Sequence, residues 1–167
     1  MKAVKAVKAA APTLRVTRQS RELPLDGQLC FALYSSSLAM TKLYKPVLEP
    51  LALTYPQYLV LLALWEQNAL SVSELGSRLF LDSGTLTPLL KRMEVSAWLT
   101  RSRDAEDERR VIVSLAPAGE ALRKKAHKVP TMVAQSTGCS AAELIELTQQ
   151  LQRLRGHLQN ALMASAH

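Results

Sequence analysis

Few side chains in this sequence can do covalent chemistry. Cys30 and Cys139 are the two thiols. Two cysteines are too few for a disulfide framework, and these two are too far apart for a CxxC redox pair. A lone cysteine is either a small buried hydrophobe or a reactive thiol. The three histidines, His127, His157 and His167, are scattered. Their spacing forms no metal-ligand cluster and sets no base beside a nucleophile, so no metal, cofactor or catalytic site is expected. The second chemistry-bearing stretch is electrostatic. Arg103-Asp104-Ala105-Glu106-Asp107-Glu108-Arg109-Arg110 puts three arginines and four acids into eight residues. Such a loop is a solvated hairpin tip or a surface for a polyanion.

These residues need elements to place them. Asp26 is a plausible N-cap, its carboxylate accepting from the free amides of a first helix. That helix is expected to reach about Tyr44 and end before Pro46. Counted from Asp26, Cys30 falls in or next to the first turn, where free amides and the helix dipole favour a thiolate. The charge of Asp26 opposes this, and the sequence leaves the balance open. Tyr44 lies fourteen residues after Cys30. The two share roughly one face but stand about 21 Å apart along the helix. They cannot touch within one chain, whereas an antiparallel copy of the helix would bring Tyr44 of one chain to Cys30 of the other.

Tyr55-Pro56 opens a second helix, and Gln57 to Glu66 is apolar nearly all round, the mark of a buried helix. Ser71-Val72-Ser73-Glu74 is a capping box for a third, with Val72, Leu75 and Leu79 facing inward. Asp82 or Ser83 caps a fourth. Its apolar stripe is Leu86, Leu89, Leu90 and Met93, which leaves Ser83, Thr85, Thr87, Lys91 and Arg92 on the other side. Pro88 predicts a bend or a later start. Trp98 to Ser102 and Val111 to Leu115 alternate as two strands around the charged loop. Helix-turn-helix followed by a hairpin is a winged helix, within a mainly α fold carrying a small β hairpin. Pro117 then starts a helix that Pro130 interrupts, Gly138 breaks the chain, and Ser140-Ala141-Ala142-Glu143 is another capping box. Leu144, Leu147, Leu151, Leu154, Leu158 and Leu162 follow as a leucine seam. The seam packs the core or pairs with a second copy. Paired half-sites about one helical turn apart favour the second.

Charge agrees with a DNA partner. The 167 residues carry a formal net charge of +7, which favours nucleic acid before membrane. No apolar run approaches bilayer length. Met1 to Arg21 holds Lys2, Lys5, Lys8, Arg15, Arg18 and Arg21, no acid, and no signal-peptide core, so a cytoplasmic protein is expected. Residues 1–22 read as a flexible basic arm, a plain tail before a DNA-contacting one. Residues 23–167 read as one winged-helix domain, with a DNA-binding lobe at about 53–116 and dimerisation helices at about 25–51 and 117–162.

A recognition helix needs short polar and basic side chains toward the major groove, because base edges offer donors and acceptors there. Ser83, Thr85, Thr87, Lys91 and Arg92 fit that task. A wing tip needs a cation for the minor groove, where A·T-rich DNA is most negative. Arg109 and Arg110 are the candidates, with Arg103 a phosphate contact. Asp107 is expected to aim Arg109 through a two-toothed carboxylate–guanidinium pair.

At this point the residues resemble the MarR family of repressors, and within it the organic-hydroperoxide repressors of OhrR type. The resemblance rests on Leu25-Asp26-Gly27-Gln28-Leu29-Cys30-Phe31-Ala32-Leu33-Tyr34-Ser35, Tyr44, and Leu53-Thr54-Tyr55-Pro56-Gln57-Tyr58. It rests equally on Leu81-Asp82-Ser83-Gly84-Thr85-Leu86-Thr87-Pro88-Leu89-Leu90-Lys91-Arg92 and Asp107-Glu108-Arg109. It spans about Leu25 to Leu162 and omits the basic arm. It implies a homodimeric repressor that binds inverted-repeat operator DNA when reduced. It also implies that an organic hydroperoxide oxidises Cys30 to a sulfenic acid, with Tyr44 and Tyr55 hydrogen-bonding the reduced thiol across the dimer. Cys139 is placed to be the resolving thiol of the two-cysteine members. Ala116 departs from the family, which often has Thr there, so one helix cap is lost.

The resulting expectation is a redox-sensing repressor released through Cys30. One rival is a MarR-like repressor released by a small aromatic acid. Another is a thiol peroxidase, against which stands the absence of a positioned base or arginine beside Cys30. A third is a basic nucleoid-type protein without signal response.

Overall fold

A computed structural model of the chain describes residues 24–165; the basic arm lies outside them. The chain divides after Ser37 into two compact units. The described part of the first is a 3₁₀ turn, Leu25–Gly27, and the opening of helix α1, Leu29–Leu48. Asp26 therefore does not cap α1: it sits inside the 3₁₀ turn, and Gln28, extended at φ −92° and ψ 125°, separates turn from helix. At its other end α1 runs past Tyr44 and carries Pro46 in its last turn. Pro46 has no amide to donate to the carbonyl four residues back, yet the helix continues to Leu48.

The second unit holds the winged helix. After a 3₁₀ turn, Glu49–Leu51, helix α2 (Tyr55–Glu66) opens with Thr54 and Gln57 in a reciprocal capping box. It buries Tyr58, Val60, Leu61, Ala63, Leu64 and Trp65, as an all-round apolar helix must. Strand β1 (Leu70–Ser71) leads into α3 (Val72–Leu79). The Ser71 hydroxyl accepts from the Glu74 amide at 3.1 Å, and the Glu74 carboxylate accepts from the Ser71 amide at 2.7 Å. Helix α4 (Ser83–Val95) has Asp82 as its cap, accepting from the Thr85 amide at 2.9 Å. Pro88 lies within α4 without delaying its start. Leu86, Leu89, Leu90 and Met93 are all buried.

The wing is a three-stranded antiparallel sheet in the order β1-β3-β2. β2 (Leu99–Arg103) pairs with β3 (Val111–Leu115) from Leu99 opposite Leu115 to Arg103 opposite Val111. The expected hairpin thus gains an edge strand, Leu70 opposite Val113, which two residues are too short to announce in sequence. Behind the sheet, α5 (Pro117–Ala126) follows Ala116, its N-cap residue, which makes no side-chain cap bond. At Gly119 the approach is closest, because a Cβ there would stand 1.9 Å from the Trp98 carbonyl oxygen. The Gly119 carbonyl accepts from the buried Trp65 indole at 3.1 Å. Helix α6 (Val129–Ser136) takes Pro130 near its start, Gly138 follows, and α7 spans Ala141–Ala164 behind the Ser140–Glu143 capping box. No residue of α7 is buried in its own chain. No single helix among the described residues is long and apolar enough to cross a membrane.

Candidate nucleic-acid interface and thiol sites

The polar face of α4 follows from its period. With the leucine stripe inward, Ser83, Thr85, Lys91 and Arg92 are exposed and Thr87 is half-buried. Beside them the wing loop is wired internally. Arg103 Nη1 donates to the Glu108 carbonyl at 2.7 Å, and the Arg110 amide donates to the Asp107 carbonyl at 2.8 Å. Arg110 leans back toward Glu74 of α3 at 3.7 Å and Asp104 at 3.8 Å. Arg109 projects, with its side chain 90% exposed. Its Nε donates to Asp107 Oδ1 at 3.0 Å and its Nη2 to Oδ2 at 3.4 Å. The Arg109 hydrogen bonds hold the Asp107 carboxyl below its usual range, with the charge of Arg110 adding to them. Of the loop's acids, Asp107 therefore orients Arg109 and Asp104 faces Arg110, while Arg103 is held by a backbone carbonyl.

A clamp absent from the sequence reading joins wing to recognition helix. Glu94, near the end of α4, accepts from Arg101 of β2 through Nε at 2.9 Å, Nη2 at 2.6 Å and the backbone amide at 3.1 Å. Those bonds lower the Glu94 carboxyl below its ordinary value. Opposite charges seven residues apart across a turn leave no periodic signal.

The phenols are brought together. The Tyr44 and Tyr55 ring centroids are 4.4 Å apart, and Tyr58 lies 6.0 Å from Tyr44. Burial raises Tyr44, with Tyr55 contributing, and burial raises Tyr55. Burial, then Tyr44 and Tyr55, pushes Tyr58 up to about 12. All three stay protonated at neutral pH and offer O–H donors. The two thiols are each exposed. Cys30 is the second residue of α1, so it lies in the first turn although Asp26 is not the cap. Cys139 precedes the cap of α7, and its amide donates to the Thr137 hydroxyl at 3.2 Å.

A helix-turn-helix with a clamped wing and one projecting arginine defines a winged-helix DNA-binding protein. A family model described as transcriptional regulator SarA/Rot matches residues 42–129. The organic hydroperoxide resistance transcriptional regulator of Bacillus subtilis (strain 168) is 49% identical over 132 residues, covering 79% of this chain and 90% of that protein. Reduced AbfR bound to DNA matches at a TM-score of 0.67 and 35% identity, over 80% of this chain and 93% of that one. AbfR is a Staphylococcus epidermidis protein, and its disulfide-formed structure matches at a TM-score of 0.57 and 37% identity, over 78% and 91%. The chain belongs to the MarR/SarA-type winged-helix transcriptional regulators, in the organic-hydroperoxide-resistance (OhrR) branch. It is a transcriptional regulator rather than an enzyme.

Proposed function

We propose that this chain is a redox-sensing repressor that binds inverted-repeat operator DNA as a homodimer when reduced and leaves it when Cys30 is oxidised. Residues at about 53–116 form the DNA-binding lobe, and helices at about 25–51 and 117–162 carry the dimer. Ser83, Thr85, Thr87, Lys91 and Arg92 face the major groove. Arg109, aimed by Asp107, enters the minor groove, Arg103 meets a phosphate, and Arg110, leaning back toward Glu74 and Asp104, braces the wing instead of entering the groove beside Arg109.

The observation that carries the redox reading is the Tyr44–Tyr55 pair, two half-buried protonated phenols whose ring centroids stand 4.4 Å apart. In the dimer they donate to the partner's thiolate and keep it reduced but reactive. The hydroperoxide's distal oxygen transfers to Cys30 sulfur. The O–O bond breaks, the alkoxide leaves and takes a proton as the alcohol, and a sulfenic acid remains. The Cys139 thiol of the other subunit then attacks that sulfur, forming a disulfide and releasing water. The disulfide form of AbfR, a relative with a DNA-bound reduced form, supports this order.

Fluorescence anisotropy on the promoter's inverted repeat tests it. Wild type should leave DNA on cumene hydroperoxide and return with a dithiol, while Cys30→Ser stays bound. Continued binding by both overturns the redox reading. A second reading has one observation in its favour. A recess of about 480 Å³ beside Tyr55, lined also by Lys42 and Lys45, is suited to a small aromatic carboxylate. Release of Cys30→Ser by such an acid would establish it.

A further inference from the structure

Phe80 is out of place by two ordinary rules. It ends α3 in the left-handed region, φ 56° and ψ 38°, where a side chain is strained and glycine is usual. The residue is also 55% exposed. The backbone around it is tightly held. The Gly76 carbonyl accepts from the amides of both Phe80 and Leu81, the latter at 2.9 Å. A Cβ on Gly76 would stand 2.9 Å from the Leu81 carbonyl oxygen, so the turn closes only over glycine. Asp82, two residues on, caps the recognition helix. Whatever holds the Phe80 ring therefore holds the start of α4.

What meets that ring comes from α7. The Arg155 guanidinium carbon lies 4.6 Å from the Phe80 ring centroid, a cation–π distance. Gln159 and Met163, one and two turns further along the same face, line a recess of about 520 Å³ with Gly76, Leu81 and Ser83. We infer that Arg155 is a positioning residue for DNA binding, which through Phe80 ties the turn of the helix-turn-helix to α7. Resting on the redox reading above, this makes α7 the lever of the switch. It is a helix about 36 Å long, with Cys139 just before its start and Arg155, on the recognition-helix turn, about 21 Å along it. Drawing Cys139 into a disulfide shifts the helix that holds Phe80.

Amide hydrogen exchange of the reduced full-length protein tests the contact without any redox step. Arg155→Gln should speed exchange at Leu81 to Thr85 by about three- to fivefold, the scale of one exposed cation–π contact. Phe80→Leu should do the same, the double variant no more than either single, and Arg155→Lys should partly restore protection. Wild-type exchange in Arg155→Gln, or additive effects in the double variant, overturns the inference. The lever is read from the ratio of operator Kd between oxidised and reduced protein. Arg155→Gln should lower that ratio by the same factor while the Cys30–Cys139 disulfide forms at the wild-type rate. If wild type itself keeps its operator on oxidation, the redox reading falls and the exchange result alone decides the contact.

Discussion

Two helices of this chain carry leucines at the same spacing and treat them oppositely. In α4, Leu86 is fully buried and its stripe closes the winged-helix core. In α7, Leu158 is 52% exposed, Leu147, Leu151 and Leu162 are exposed with it, and Leu144 and Leu154 are half-buried. Exposed large apolar side chains in a row mark a surface that meets something else. The α4 lobe is complete within one chain, whereas α7 is not. The seam is therefore no part of its own chain's core, and a second copy is the occupant we propose.

The largest test of this contrast is a glycine. Gly119→Ala forces a methyl against the Trp98 carbonyl inside the lobe and should cost about 3 kcal/mol, the upper range for overpacking, read as a fall in Tm. Gly156→Ala on α7 meets nothing within 4 Å and should raise helix stability by up to about 1 kcal/mol. An equal loss in both would erase the difference between the regions.

Leucine truncation comes next. Leu86→Ala should destabilise the lobe by about 3 kcal/mol. Leu158→Ala should leave the lobe's unfolding transition in place and weaken self-association in sedimentation equilibrium. A Leu158→Ala protein as unstable as Leu86→Ala would return the seam to its own core.

Arg109→Ala sharpens the comparison inside the DNA-binding unit. Operator affinity should fall and the slope of log K against log salt should drop by about one unit. Arg103→Ala, which removes the bond to the Glu108 carbonyl, should instead loosen the wing loop and raise its amide exchange. An unchanged slope for Arg109→Ala would remove that arginine from the interface.

The smallest effect is on pH. Glu74, Glu94 and Asp107 are all lowered in the folded chain, chiefly by hydrogen bonds from Ser71, Arg101 and Arg109 respectively. Lowered groups bind fewer protons folded than unfolded, so their stabilisation is full above the ordinary values. For Glu94 it is present above 4.5 and lost as pH falls through the folded value. Glu94→Gln should flatten the acid limb of Tm below pH 4.5, where the wild-type term is lost. The same limb in wild type and variant would show the clamp contributes nothing.

Most of the fold was legible because its signals are local. Capping at Ser71, Asp82 and Ser140, the stripe of α4 and the two long wing strands all appear where periodicity and cap chemistry put them. The first helix was misjudged at both ends. Asp26 looks like a cap, but its backbone is taken by a 3₁₀ turn, and Pro46 reads as a stop although a last turn accommodates it. The thiols and tyrosines were visible as residue types, while the 4.4 Å approach of Tyr44 to Tyr55 was not.

The sequence by itself determined most of the helices and both long wing strands, the caps at Ser71, Asp82 and Ser140, and which face of each element is apolar. Those properties depend on neighbours within a few residues, through backbone hydrogen bonds and helical or pleated periodicity. Only the tertiary structure decided that β1 joins the wing, that Glu94 grips Arg101, that Arg155 lies over the Phe80 ring, and that Leu147, Leu151, Leu158 and Leu162 of α7 stay exposed. Each of these depends on where separate elements come to rest against one another. Packing sets that arrangement, and no local pattern encodes it.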